Sequence, residues 1–379
     1  MGRASLSQTW LMIHRWTGLG LGLFLAVQGL LGAWLLVADP LDRWLNPQLL
    51  QSEASEGQPI GLTGAYQATA DAYPDRHVWL VMRPDEPDEV YRAILDGDGG
   101  THVYVDAYSG EVLGARGAFS SLEEPVRVLH TGALGGPWLE SFAGVLAVAL
   151  LGLGITGLVV WWPGLGSLRR ALGFATASWA DVMRDLHRWA GLLGFVFLTL
   201  VAVSGIYLIF HHAVQDTVNA VTGEPEFPPP LSIEARAGPA SDPDVAALVA
   251  AARAEVPGAR PTLFSFPAEA GNPIQVRLRY PGEWHPIGNS TVLFHPDSQR
   301  VVAAYDMRRA GAGHVALDHL YPLHIGSYGG TVTRTVHFAA GLLPALFFAT
   351  GLYLWWRRRR RRACRRRPAR NATAKRGEG

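Results

Sequence analysis

Four stretches of this chain are long, apolar and nearly free of charge: Trp10 to Ala38, Trp138 to Trp162, Trp189 to Phe210 and Thr331 to Trp356. Each can cross a hydrocarbon core of about 30 Å at about 1.5 Å per residue. Inside lipid a backbone must satisfy its own hydrogen bonds, so each stretch is expected to be a helix. The first is too long for a cleaved signal peptide, and no small-residue cleavage site follows Ala38-Asp39-Pro40, so it reads as an uncleaved signal anchor.

Arginine and lysine set the expected orientation. The first fifteen residues, the 163–188 loop and the tail after Trp356 hold 18 of the 33 basic residues. The two long loops, about 39–137 and 213–328, hold 28 of the 32 acidic residues and 14 basic ones. Both chain ends are therefore expected in the cytoplasm and both long loops outside. The expected plan is a cytoplasmic 1–9, a span at 10–38, an outer domain at 39–137, a span at 138–162 and a cytoplasmic loop at 163–185. A span at 186–212, a second outer domain at 213–328, a span at 329–356 and a basic tail at 357–379 complete it. The tail arginines read as a topology signal and an anchor to lipid headgroups; beside a membrane surface they are not expected to bind nucleic acid.

The chain also repeats itself. His14-Arg15-Trp16-Thr17-Gly18 and His187-Arg188-Trp189-Ala190-Gly191 each open an apolar run. Leu129-His130-Thr131-Gly132 with Gly135-Gly136, and Leu323-His324-Ile325-Gly326 with Gly329-Gly330, precede runs that end at Trp161-Trp162 and Trp355-Trp356. The second pair aligns without a gap at a spacing of 194 residues. The duplication carries histidines to both ends of the membrane helices.

Paired histidines on facing helices suit a haem held by two neutral imidazoles, with small residues leaving room for the porphyrin. The single cysteine, Cys364, allows no disulfide within the chain, no iron–sulfur cluster and no c-type attachment, so any haem must be held non-covalently. His14 and His187 sit at matched depth, above Gly18, Gly22, Gly29 and Gly32 on one helix and Gly191, Gly194 and Gly205 on the other. They are read as ligands of an inner haem; the alternative is that the glycines serve helix packing and the histidines face headgroups. The outer side offers His130, His324, His211, His212 and His337. His337 lies inside the fourth span, where a lone imidazole is costly. It is expected to share an outer haem with His211 or His212, the latter in helical phase with His187. His130 and His324, in Gly-rich linkers, are second ligands, propionate donors, substrate-side residues or simple linker caps. His77, His102, His285, His295, His314 and His319 read mostly as surface residues.

Glu140 and Arg334 occupy equivalent positions, again 194 apart. They are expected to form an ion pair across the bundle, unless Arg334 instead holds a haem propionate. Arg15 and Arg188 are similar inner candidates, with lipid phosphate as the alternative.

The outer loops read as small helix-plus-sheet units. In the first, Gly64 to Tyr73 suits a helix, and His77 to Met82, Val90 to Leu95 and Thr101 to Asp106 suit strands, with turns at Asp96 to Gly100 and around Gly110. In the second, Asp242 caps a helix to Glu255, and Pro261 to Phe266, Pro273 to Tyr280, Ser290 to His295 and Val301 to Tyr305 suit strands. Glu224 to Pro230 reads as a linker.

These loops resemble the PepSY domain, and the chain outside its tail resembles the PepSY-associated transmembrane helix family. The carriers are the two His-Arg-Trp-x-Gly starts, the two Leu-His-x-Gly-x-x-Gly-Gly elements, Thr156-Gly157-Leu158, Thr350-Gly351-Leu352 and the Asp106…Gly110-Glu111-Val112 turn. The resemblance implies a membrane α-helical fold: a four-helix transmembrane bundle from a duplicated TM–PepSY–TM unit, with two α+β PepSY-like periplasmic domains in a bacterial inner membrane. Some members are ferric-siderophore reductases with two b-type haems. The expected function is therefore that of an oxidoreductase moving electrons across the membrane through haem b, two copies in all, to a periplasmic ferric siderophore or similar iron chelate.

Gly18-x-Gly20-x-Gly22 lies within a membrane span with no preceding strand, so it is no dinucleotide fingerprint. Electrons must come from quinol or a cytoplasmic reductase. Two other classes stay open: a haem-free anchor whose PepSY-like domains bind or regulate a secreted peptidase or peptide, and a siderophore permease component without a redox role.

Overall fold

The computed structural model describes residues 3–52, 57–97, 100–162, 173, 176–225, 243–266 and 272–374. In chain order the helices and strands are α1 (Arg3–Gly20), α2 (Gly22–Leu45), α3 (Pro47–Leu50), α4 (Gly61–Ala72), β1 (Val78–Met82), β2 (Tyr91–Leu95), β3 (Thr101–Val105), β4 (Val112–Gly117), α5 (Glu124–Thr131) and α6 (Pro137–Trp161). They continue with α7 (Trp179–Ile209), α8 (His211–Thr222), α9 (Val245–Glu255), β5 (Arg260–Ser265), β6 (Ile274–Arg279), β7 (Ser290–Phe294), β8 (Val301–Tyr305), α10 (Ala312–Asp318), α11 (Leu320–Ile325) and α12 (Gly330–Ala374). Two compact units emerge: Met1–Trp34 with His130–Ile209 and Thr335–Gly379, and Leu35–Leu129 with Phe210–Arg334.

The first unit is helical. Among the described residues four helices are long and apolar enough to cross a membrane: Gly22–Leu45, Pro137–Trp161, Trp179–Ile209 and Ser327–Arg362. Helix α1 runs into α2 with its ladder intact, since Leu21 N donates to Thr17 O and Leu25 N to Leu21 O, each at 2.9 Å. The helices outrun the apolar stretches. α7 begins ten residues before Trp189, and α12 continues through the arginines because arginine is a good helix former.

Lipid supplies no hydrophobic drive between helices, so close packing must do that work through small residues. At the crossing of α2 and α12, Gly29 and Gly341 face each other. A Cβ on Gly29 would strike the Gly341 carbonyl and come 3.0 Å from Pro344 Cγ; one on Gly341 would lie 3.0 Å from Ala33 Cβ. A Cβ on Gly194 would likewise strike Leu343.

The second unit is built on one eight-stranded antiparallel sheet, in the order β4-β3-β2-β1-β5-β6-β7-β8. The two loops read as separate domains are thus joined in a single sheet. β1 and β5 would each be an unpaired edge in a lone half, and an edge is a liability. They pair with each other instead, Val81 opposite Phe264 and Met82 opposite Leu263. Helices α4 and α9 cover one face. Leu62, Ala65, Val245 and Leu248 pack there on Val81, Tyr91, Val103, Phe264, Ile274, Val276 and Phe294, all buried.

Strand ends match the sequence reading to within a residue or so, and β8 matches it fully. The α9 cap is Asp244, whose side chain accepts from Ala247 N; Asp242 lies outside the described residues. Residues 98–99 of the predicted hairpin turn, 226–230 of the linker and most of the 163–185 loop also lie outside them. His130 and His324 sit near the ends of short helices, α5 and α11, that stop just before the glycines of their linkers.

Candidate functional site

The two His-Arg-Trp starts are brought together inside the helical unit. His14 on α1 and His187 on α7 have ring centres 6.3 Å apart with planes at 82°. Two imidazoles on opposite sides of one metal, each with a metal–nitrogen bond of about 2 Å and a ring centre about 1 Å behind the nitrogen, have centres roughly 6 Å apart.

Each ring is fixed by a threonine from another helix. His14 Nδ1 lies 3.0 Å from Thr156 Oγ1 on α6, and His187 Nδ1 lies 2.7 Å from Thr350 Oγ1 on α12. Both hydroxyls already donate back along their own helices, Thr156 to Gly152 O at 2.8 Å and Thr350 to Leu346 O at 2.7 Å. A hydroxyl has one proton, so each oxygen is left to accept, and Nδ1 is the nitrogen that donates. Nε2 then carries the lone pair, the tautomer a metal requires. The next residue in each Thr-Gly-Leu element gives the ring room. A Cβ on Gly157 would come 3.1 Å from His14 Cε1, and one on Gly351 would lie 3.9 Å from His187 Cε1. One turn beyond His187, a Cβ on Gly191 would meet nothing within 4 Å.

These residues fit haem. Two neutral imidazoles with unprotonated Nε2 stand at the separation a shared iron requires, beside a glycine cradle. Among the described residues no group of three or more His, Cys, Asp or Glu side chains could hold a metal ion. A porphyrin supplies four of the iron's ligands itself, so two imidazoles suffice. The threonines were the residues sequence reasoning missed. They stood in the quoted Thr-Gly-Leu repeats, but nothing in a linear sequence showed which ring each would meet.

The helical unit holds four of the chain's histidines: His14, His130, His187 and His337. His337 is 4% exposed, with its ring edge-on to Phe197 at 6.4 Å. The His130 carbonyl accepts from Gln28 Nε2 at 2.6 Å, and a Cβ on Gly32 would come 3.1 Å from His130 Cε1. His211, His212, His324 and Arg334 belong to the other unit. His211 and His212 are exposed and packed on each other, with ring centres 4.1 Å apart. Phe210, at φ −106° and ψ 36°, ends α7 before them, so the helical phase that aligned His212 with His187 does not carry across.

Glu140 belongs to the helical unit and Arg334, which is exposed, to the sheet-bearing one. Arg15 lies over the Trp16 ring, and Arg188 pairs with Asp185 at 3.5 Å. His102, His285 and His314 are buried rather than superficial. Burial, with nearby Arg92, holds His102 down at about 4; burial with Arg277 and Arg279 holds His285 at about 3. His314 Nδ1 lies 3.1 Å from the Glu224 carboxylate. The Asp106 turn is a built element. Burial opposes its ionisation, yet hydrogen bonds from Ser52, Ser109 and the Tyr108 and Ser109 amides hold its carboxyl below the usual range, and Gly110 turns at φ +76°.

Apolar helices clasping a threonine-held imidazole pair, with their long connections folded into a sheet, define a multi-span membrane protein built to position histidines between helices. The sequence places it more closely: residues 11–358 match the model of the PepSY-associated TM region, and the chain belongs to that family. Comparison with curated proteins finds no match.

Proposed function

We propose that this protein is a b-type dihaem oxidoreductase that carries electrons across a bacterial inner membrane to a ferric chelate outside. The observation that carries the reading is the His14/His187 pair, 6.3 Å apart and held at both Nδ1 atoms by threonine. Haem iron between two imidazoles supplies reversible one-electron chemistry without losing a ligand. His14 and His187 would hold one haem. His130 and His337, the remaining imidazoles of the helical unit, would hold the second, in place of His337 with His211 or His212. His337 lies 13 residues before Thr350 on α12, about 20 Å along the axis, which suits a second level nearer the opposite membrane face.

The orientation rests on the arginines: both chain ends in the cytoplasm and the sheet-bearing unit in the periplasm. Electrons would enter from quinol or a cytoplasmic reductase at the His14/His187 level. Reduction to Fe(II) would loosen a chelate of hard oxygen ligands, because such ligands favour the higher charge. The duplicated sequence gives the natural origin of a site made of two equivalent halves.

The test is the optical spectrum of protein purified from haem-replete cells, with the haem-to-protein ratio. A Soret band and a dithionite-reducible α-band at about two haems per chain, falling by one in His14→Ala or His187→Ala, support the reading. A colourless wild-type protein contradicts it.

A further inference from the structure

The end of the helical unit nearest His187 carries a second built feature, independent of haem. A cavity of about 270 Å³ lies between the start of α7 and the arginine segment of α12, lined by Ser178, Asp181, Arg184, Arg357, Arg358 and Arg361 among others. Its one carboxylate is already engaged: Asp181 accepts from Ser178 Oγ at 2.6 Å and pairs with Arg184 at 2.8 Å. Arg357, Arg358 and Arg361 have no carboxylate within ion-pair distance among the described residues, and Arg357 Nη1 is buried with no hydrogen-bond partner. The cavity also opens at the amino end of a 31-residue helix, where the backbone dipole adds positive potential.

The neighbouring arginines behave differently. Arg359 lies over the Trp355 ring at 5.4 Å and Arg360 over Trp356 at 4.2 Å. The tail is thus divided between arginines stacked on indoles and arginines turned to the cavity. Exposed Trp179, the first residue of α7, and exposed Trp356, next to Arg357, flank its lining in sequence, and tryptophan is the residue type that marks the headgroup level of a bilayer.

We infer that this cavity binds the phosphate of an anionic phospholipid headgroup. Arg357, Arg358 and Arg361 bring three guanidinium groups to a cavity whose one carboxylate is shared with Arg184 and lies within the electrostatic reach of Arg357, leaving an excess of positive charge, and their forked donors match phosphate oxygens. The lipid is favoured over free phosphate because the tryptophans set the cavity at headgroup depth, where lipid phosphate is abundant.

The test is native mass spectrometry of the full chain in detergent, titrated with cardiolipin, phosphatidylglycerol, phosphatidylcholine or inorganic phosphate. The wild type should retain the two anionic lipids at least about tenfold more tightly than phosphatidylcholine. The triple variant Arg357→Gln, Arg358→Gln, Arg361→Gln should lose that preference. The charge-matched triple Arg359→Gln, Arg360→Gln, Arg362→Gln should keep it. Should the first triple fail to fold, Arg357→Gln alone should weaken retention. Equal losses in both triples, or no loss in either, would overturn the site. Displacement of the lipid by inorganic phosphate at equal concentration would overturn its assignment to lipid.

Discussion

The Thr156 hydroxyl holds Nδ1 of His14 at 3.0 Å while donating to its own helix at Gly152. One side chain thereby fixes the ring's orientation and tautomer together, and Thr350 does the same for His187. Partners of this kind typically change metal affinity about 10–100-fold.

Thr156→Val and Thr350→Val are therefore expected to weaken haem retention about 10–100-fold and to shift the midpoint potential of the His14/His187 haem. Serine at either position restores the hydroxyl and should restore both properties. Redox titration with haem quantification checks this. Valine variants with wild-type potential and haem content would remove the threonines from the account.

The join between the halves of the sheet is expected to be stabilising in its own right. Phe264 is fully buried, opposite Val81 and edge-on to Tyr66 at 5.7 Å. Phe264→Ala should cost about 3–5 kcal/mol, read as a lower melting temperature of the sheet-bearing unit. A loss under about 1 kcal/mol would mean that the join bears little of the core.

Acid should loosen the same unit. His102 at about 4 and His285 at about 3 take up protons less readily folded than unfolded, where histidine titrates near 6.5. The unfolded chain thus binds more protons, and stability falls as pH drops. The loss begins near 6.5 and continues to about 4 for His102 and about 3 for His285. Within those windows each histidine contributes a slope of up to about 1.4 kcal/mol per pH unit. His102→Gln and His285→Gln should each flatten the curve of melting temperature against pH. Unaltered curves in both would contradict this.

The α2–α12 crossing predicts a packing defect. Gly29→Leu or Gly341→Leu puts a side chain where the opposing backbone already lies, so the helices must separate. Both variants should lower the melting temperature of detergent-solubilised protein, whereas leucine at Gly20, where a Cβ meets nothing within 4 Å, should be tolerated.

Helices and strands were legible because periodicity and composition are local. The apolar runs announced the spans, and alternation in β2 and β6 announced the sheet. The His14/His187 pair was legible because the repeat marked both members. What local sequence does not carry is partnership across the fold. The β1–β5 join depends on which edges meet, and the threonine-to-histidine bonds depend on which helices neighbour. The phase argument for His212 assumed an unbroken helix, and Phe210 breaks it. His102 and His285 looked superficial because they lie in the long loops between the spans, yet both are buried within the sheet-bearing unit.

The central claim is that His14 and His187 grip one iron between them. Electron paramagnetic resonance of the oxidised, purified protein tests it directly. The account predicts low-spin signals from two bis-imidazole haems in the wild type, with one lost in His14→Ala and the same one lost in His187→Ala. Two signals surviving in either variant, or different signals lost in the two, would contradict it.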